Sequence, residues 1–285
     1  MDMNQVLAAE LNVKPWQVEA AVKLIDEGNT IPFISRYRKE ATGSLNDEIL
    51  RNLYDRLMYL RSLNDRKAVV LASIEEQGKL TAELKKSIEE AATLVVVEDL
   101  YRPYRPKRRT RATIAKEKGL EPLAALIMLQ NTKVPLEEAA KAYLSEEKEV
   151  KTSADAIHGA MDILAEYISD EANYRIYIRD LTMKQGKLIS TAKNPEETSV
   201  YEMYYEFEEP VSRLAGHRIL ALNRGEKEKV LTVKIEAPEE KILQYLEKKV
   251  ISSSNPYTTP VLKEVIGDSY KRLIGPAIER EIRNE

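Results

Sequence analysis

The run from Asn46 to Gly78 places the tightest limit on what this chain can fold into. Ile49, Leu53, Leu57, Leu60, Leu63, Leu71 and Ile74 recur at helical spacing along it. Asn46 is a good N-cap, Asp47 and Glu48 stand in the electropositive first turn, and Leu45 can staple onto Leu50. Gly78 supplies the stop. At 1.5 Å per residue such a helix is a rod of roughly 45 Å, long enough to act as a spine between other parts. The pattern blurs at Asn64-Asp65-Arg66-Lys67, which favours a spine over a coiled-coil arm.

The remaining pattern is helical almost throughout. Helices are predicted over 2–11, from Trp16 to Glu27 behind Pro15, and over 81–92 with Thr81 as cap. Others cover 112–118, 120–131 and 135–143, start at Ser153, and run from about Asn173 to Lys184 with Gly186 as the stop. Val211 to Asn223 reads as helix ended by Gly225, and Pro238 opens another to Val250. A last helix starts near Thr258 and kinks at Gly275-Pro276. Strands fit only Lys187–Ser190 and Val230–Glu236, where Leu231, Val233 and Ile235 alternate. Leu94-Val95-Val96-Val97 suits a strand and a buried helical turn equally. The expected fold is therefore mainly α: a multi-helix assembly with a long spine helix and at most a small β element. Two domains are expected, a helical, helix-turn-helix-like region over 1–190 and a second over 191–285, with the polar stretch Asn194–Ser199 near their junction. Ala277 to Glu285 carries no stop signal, so a longer parent chain is expected.

Composition excludes several classes. The chain has no cysteine, which removes disulfides and thiolate metal sites. No apolar run approaches the roughly 18 residues of a membrane span, and Met1-Asp2-Met3-Asn4-Gln5 lacks the features of a signal peptide. The cytoplasm is the expected compartment. A net charge of −3 argues against general polyanion coating, so any nucleic-acid contact must be local.

Such a local feature exists. Between Tyr101 and Leu120 stand eight Lys and Arg residues and a single acid, Glu117. Pro103 and Pro106 are expected to keep the stretch extended. Tyr101 and Tyr104 offer faces on which bases can stack. Tyr101, Arg102, Tyr104, Arg105, Lys107, Arg108, Arg109 and Arg111 are the candidate contacts for a weak, sequence-independent and salt-sensitive grip on nucleic acid. The competing reading is a solvated, charged loop that pins two helices together through arginine–carboxylate pairs. On residue chemistry alone the two weigh about equally.

Other constellations are weaker. Asp155, His158 and Asp162 share a helix face, but one helix with a lone histidine is a poor metal site. His217 is expected to make a structural hydrogen bond. No phosphate-cradling glycine loop and no distinguishable acid–base carboxylate pair is present, so no cofactor, no metal and no enzymatic activity are expected. The cluster Tyr201, Tyr204, Tyr205 and Phe207 is interleaved with Glu202, Glu206, Glu208 and Glu209, which would repel phosphates, so it reads as a packing anchor. Arg36 and Arg38, beside Phe33 and Tyr37, are expected to pair with a carboxylate such as Glu40 or to cap helix carbonyls.

Three ordered segments carry a family resemblance. Ile31-Pro32-Phe33-Ile34-Ser35-Arg36-Tyr37-Arg38-Lys39-Glu40-Ala41-Thr42-Gly43 resembles a signature of the Tex family, the bacterial transcription accessory proteins. Glu98 to Arg111, continued by Ala115 and Gly119-Leu120-Glu121-Pro122-Leu123, resembles a second, and Ser212-Arg213 with His217 to Glu226 a third. The resemblance implies a much longer parent, similar to the core of a eukaryotic transcription elongation factor. In that parent an RNase H-like domain, helix-hairpin-helix repeats and a C-terminal S1 domain follow the region seen here. It implies that residues 191–285 begin the central scaffold, that the later domains are partners of this region, and that the S1 domain carries most of the nucleic-acid binding. The alternative it opens is a scaffold that positions those domains and touches RNA polymerase or another transcription protein, with no nucleic-acid binding of its own.

Overall fold

A computed structural model describes residues 2–285. The chain divides into two compact units, 1–97 and 98–285.

The first unit is all helical: α1 (Met3–Leu11), α2 (Pro15–Asp26), α3 (Ile31–Tyr37), α4 (Lys39–Thr42), α5 (Asp47–Glu76), α6 (Ala82–Glu90) and the start of α7 (Leu94–Tyr101). Helix α5 is the predicted spine. Asn46 Oδ1 accepts from the Ile49 amide at 2.8 Å, satisfying one of the amides that every helix start leaves open. Leu50, Leu53 and Leu57 are buried with Leu7, Val18, Ala21, Ile34 and Leu45, so the first half of α5 is the floor on which the N-terminal helices pack. Two bidentate pairs fasten it from outside: Arg56 to Glu10 of α1 at 2.7 and 2.9 Å, and Arg61 to Asp26 of α2 at 2.7 and 2.9 Å. Leu94–Val97, ambiguous in sequence, is helical, and the Leu94 amide donates to the Tyr59 hydroxyl at 3.0 Å.

The second unit contains α8 (Arg111–Glu117), α9 (Glu121–Leu129), α10 (Leu136–Ala140), α11 (Ser153–Asp170) and α12 (Ala172–Gln185). It continues through β1 (Lys187–Ala192), β2 (Glu206–Pro210), α13 (Gly216–Lys227) and β3 (Leu231–Glu236) to α14 (Glu239–Val250), α15 (Thr259–Asp268) and α16 (Gly275–Asn284). Helix α11 is its axis. Thr152 and Asp155 close a reciprocal capping box at its start, which is how the Asp155 carboxylate is spent. Ala156, Ala160, Leu164 and Ile168 lie in the core with residues of α9, α14, α15 and α16. At Gly159 the helix presses against the loop before α9: a Cβ there would stand 2.2 Å from Leu120 Cδ1.

The sheet has order β2-β1-β3, all antiparallel, with Ser190 opposite both Phe207 and Val233. Residue 190, the expected domain boundary, therefore lies inside the central strand, and the compact units part at 97/98 instead. Strand β2 has no apolar alternation in the sequence, because it is an edge strand of glutamates ending at Pro210, residues that edges tolerate and that discourage further pairing. Tyr201 and Tyr204 are buried with Leu188, Leu222, Leu231 and Val233, so the aromatic cluster packs as expected. The helix expected over Val211–Asn223 is shifted: Val211–Arg213 forms a single 3₁₀ turn and α13 runs on to Lys227. Gly225 does not end it. A Cβ at that position would meet Leu231 Cδ1 at 2.6 Å and Tyr201 Cδ1 at 3.1 Å, so this glycine lets helix, strand and tyrosine approach.

The kink expected at Gly275-Pro276 is prepared one turn earlier. Residues Ser269–Ile274 form a π-helical turn, which widens the helix just before Pro276, a residue with no amide to give to the ladder. Ser269 Oγ donates to the Ala165 carbonyl at 2.7 Å, seating that turn on α11.

The Gly159 contact yields a stability prediction. Gly159→Ala should lose about 1–3 kcal/mol through overpacking against Leu120, despite the better helix propensity of alanine. Urea unfolding monitored by circular dichroism measures it, and unchanged stability would show that this helix–loop contact is slack.

Candidate nucleic-acid interface

The basic segment begins where α7 ends. Arg102–Tyr104 forms a 3₁₀ turn, and the Arg105 amide donates to the Tyr101 carbonyl at 2.9 Å. The stretch is thus coiled through Pro103 and extended only from Arg105 onward, because a proline early in a helical turn has no hydrogen bond to lose. The segment closes on Thr110, which caps α8 reciprocally with Thr113: the Thr113 amide donates to Thr110 Oγ1 at 3.1 Å and the Thr110 amide to Thr113 Oγ1 at 2.7 Å.

The eight predicted contact residues separate into two groups. Tyr101 is buried, only 7 % exposed, and is unavailable for base stacking. Tyr104 is half-buried. Arg102 is also half-buried, with Nη2 4.0 Å from Glu281 and Nε enclosed without a hydrogen-bond partner among the described residues. Lys107 turns inward: its ammonium donates to Glu166 at 3.1 Å and to Asp170, both on α11. Arg105, Arg108, Arg109 and Arg111 are exposed. Arg109 makes one long surface contact with Glu117 at 3.4 Å, of small energetic weight. Arg111 acts on Asp162 only through its charge, and Arg105 and Arg108 form no ion pair among the described residues.

What holds the root of the segment is a buried ionic lattice. Asp99, on the last turn of α7 and 1 % exposed, accepts two hydrogen bonds from Arg179 of α12 at 2.9 and 2.8 Å. The Arg179 Nε donates to Glu281 of α16 at 2.9 Å. Arg175, one turn earlier on α12 and 1 % exposed, donates to the Ser169 carbonyl and, at 2.7 Å, to Ser169 Oγ. Burial, reinforced by the Arg102 charge, depresses Arg175 to about 10. Burial likewise raises Asp99, against the pull of the Arg179 hydrogen bonds. Asp170 is raised by burial too, and Lys107 works in the opposite direction. No pattern in the sequence marks Arg175, Arg179 or Glu281, and the only local signal was the acid pair Glu98-Asp99 ahead of a basic run.

Elsewhere, Arg36 and Arg38 do not pair with Glu40. Arg38 Nη1 donates to the Tyr37 carbonyl at 3.1 Å and its guanidinium lies over the Phe33 ring at 5.0 Å, while that of Arg36 is 6.0 Å from the Tyr37 ring centroid. His158 is exposed on α11, and Asp162 faces Arg272 at 3.8 Å. Among the described residues no cluster of three His, Asp or Glu side chains is arranged to hold a metal ion, and no helix is long and apolar enough to cross a membrane.

Comparison with known proteins supplies the context. Residues 1–75 match the Tex-like protein N-terminal domain and residues 130–285 match the Tex central region-like domain, more than half of the chain. The uncharacterized protein YdcI of Bacillus subtilis is 49% identical over 99% of this chain and 40% of its own length. The transcriptional accessory protein Tex of Neisseria gonorrhoeae is 43% identical over 82% of the chain and 31% of its own. The human S1 RNA-binding domain-containing protein 1 is 30% identical over 99% of the chain and 30% of its own. The chain thus spans 40% or less of the length of these relatives.

Removing one half of a buried pair is far costlier than losing a surface bridge. Arg179→Ala should cost about 3–5 kcal/mol at neutral pH, because Asp99 is left buried and uncompensated. Its carboxyl would then sit still further above the unfolded-state value, so the folded variant binds an extra proton and gains stability as pH falls. The deficit relative to the unaltered protein should therefore shrink between about pH 7 and about pH 5. Thermal unfolding across that range checks it, and a pH-independent deficit would mean that Asp99 is solvated once Arg179 is gone.

Proposed function

The chain belongs to the Tex family of transcription accessory proteins, and from that premise we propose that it is a non-catalytic scaffold region that touches nucleic acid without sequence preference. The contact is made by Arg105, Arg108, Arg109 and Arg111. The observation that carries this reading is the exposure of Arg105, Arg108 and Arg109 on a loop whose two ends are fixed, one by the ionic lattice and one by the Thr110 cap, and of Arg111 in the first turn of α8 just beyond that cap. Preorganised cations of this kind meet phosphates at low entropic cost. Arg102 and Lys107, being turned inward, serve as anchors of the loop. A human relative named for an S1 RNA-binding domain is consistent with a nucleic-acid partner. The work takes place in the cytoplasm, with residues 130–285, which match the Tex central region, forming the scaffold and the further domains of a longer parent completing the grip.

The second reading, a framework that meets only proteins of the transcription machinery, draws its support from the same inward pairing of Lys107 and Arg102. Fluorescence anisotropy with a labelled single-stranded oligonucleotide across a salt series separates the two. For the native chain the logarithm of the binding constant should fall with the logarithm of salt concentration. Changing all four exposed arginines to alanine should reduce that slope by about 3, at roughly 0.7 per phosphate on a single strand. Equal slopes would leave only the framework. With magnesium added, the oligonucleotide should remain intact, and cleavage abolished by no loop substitution would point to a catalytic site elsewhere.

A further inference from the structure

Behind the basic segment, α9 and α11 leave a groove of about 520 Å³. Its floor is apolar: Ala124, Ala125 and Met128 come from α9, and Leu164 and Tyr167 from α11. Tyr167 is 62 % exposed, an open ring on a wall that nothing in this unit covers. The rim has the opposite character. Glu121, Glu166, Asp170 and Glu171 line it, with Lys116 as the only cation among the lining residues. One ammonium already sits on this wall, since Lys107 is held by both Glu166 and Asp170. The chain's own lysine therefore displays what the rim accepts, and two carboxylates remain for one cation there.

We propose that the groove receives a short segment of a partner protein in which a lysine or arginine stands beside bulky apolar side chains. The apolar side chains lie on Ala125, Met128 and Tyr167, and the cation takes Glu166 and Asp170 in competition with Lys107. Charge complementarity commits the groove to a cationic peptide: a phosphodiester strand would meet four carboxylates and be repelled. The apolar floor adds area that an exposed ion pair alone lacks. Apolar anchors with a flanking charge are the elements that helix-in-groove recognition uses. Capture of such a segment also releases Lys107, so the basic loop loses one of its anchors when the groove fills. This proposal stands on the groove and its rim alone, independent of whether the exposed arginines touch nucleic acid.

The test uses the whole chain and a fluorescein-labelled helical peptide of leucine and lysine, with its leucine–glutamate counterpart as control. Anisotropy at about 0.15 M salt should show binding of the first peptide and none of the second. Ala125→Trp, placed on the exposed face of α9, should weaken binding at least about tenfold by filling the groove, and Lys107→Ala should tighten it about threefold by vacating the carboxylates. Leu220→Ala, on an exposed part of α13 outside the groove, should change nothing. Methyl NMR spectra should show peptide-induced shifts confined to Ala124, Ala125, Met128, Ile163 and Leu164. If Ala125→Trp proves unstable, Ala125→Arg and the methyl shifts decide in its place. Binding that survives filling of the groove, methyl shifts elsewhere, weaker binding by Lys107→Ala, or displacement of the peptide by an oligothymidine would each overturn the proposal.

Discussion

The bidentate pair between Arg179 and Asp99 is the interaction on which the second unit depends. It joins the end of α7 to α12, and through Glu281 it adds α16. Buried ion pairs contribute little net stability compared with apolar packing, because both partners must leave water. Their value is specificity, since few arrangements of these helices let each charge find its hydrogen bonds. Here Asp99 receives two, Arg179 spends three nitrogens on two carboxylates, and Arg175 is satisfied in part by a carbonyl and a hydroxyl at the end of α11. The exit point of the basic segment is fixed as a result.

That anchoring sorts a run of look-alike cations by position. Arg102 stands at the lattice, Lys107 swings back to α11, and the cations between and beyond them are held outward by the 3₁₀ turn and the Thr110 cap. Neither a uniformly solvated loop nor a fully internal brace describes the segment. It is a loop stitched down at intervals, and its free stitches form the positive surface.

Much of the fold was legible because its determinants are local. Asn46, Thr81 and Pro15 mark helix starts by chemistry that acts within three residues, and α5 and β3 announce themselves by period. What was not legible depended on distant partners. Strand β2 exists because β1 offers it a ladder, and Gly225 was read as a stop when its reason is the side chains of Leu231 and Tyr201. The fates of the cations were equally hidden. Lys107 meets acids 59 and 63 positions away, and Arg179 meets partners at separations of 80 and 102. A charge count sees the excess of arginine, but only the folded chain says which guanidinium groups are occupied.

The π-helical turn at Ser269–Ile274 has a consequence for the helix that follows. An α-helix advances about 100° per residue, so one residue absorbed in a wide turn resets the azimuth of everything beyond it. In that phase Glu281 points to Arg179 on α12, while Arg283, two residues on, reaches Glu226 of α13 at 3.0 Å and the Val233 carbonyl of β3, and Glu279 accepts from the Ile235 amide at 3.0 Å. The wide turn thus works as a vernier: it dials the closing helix so that one side clasps the helical layer and the other clasps the sheet. Trimming a single residue there would turn both clasps away from their catches at once.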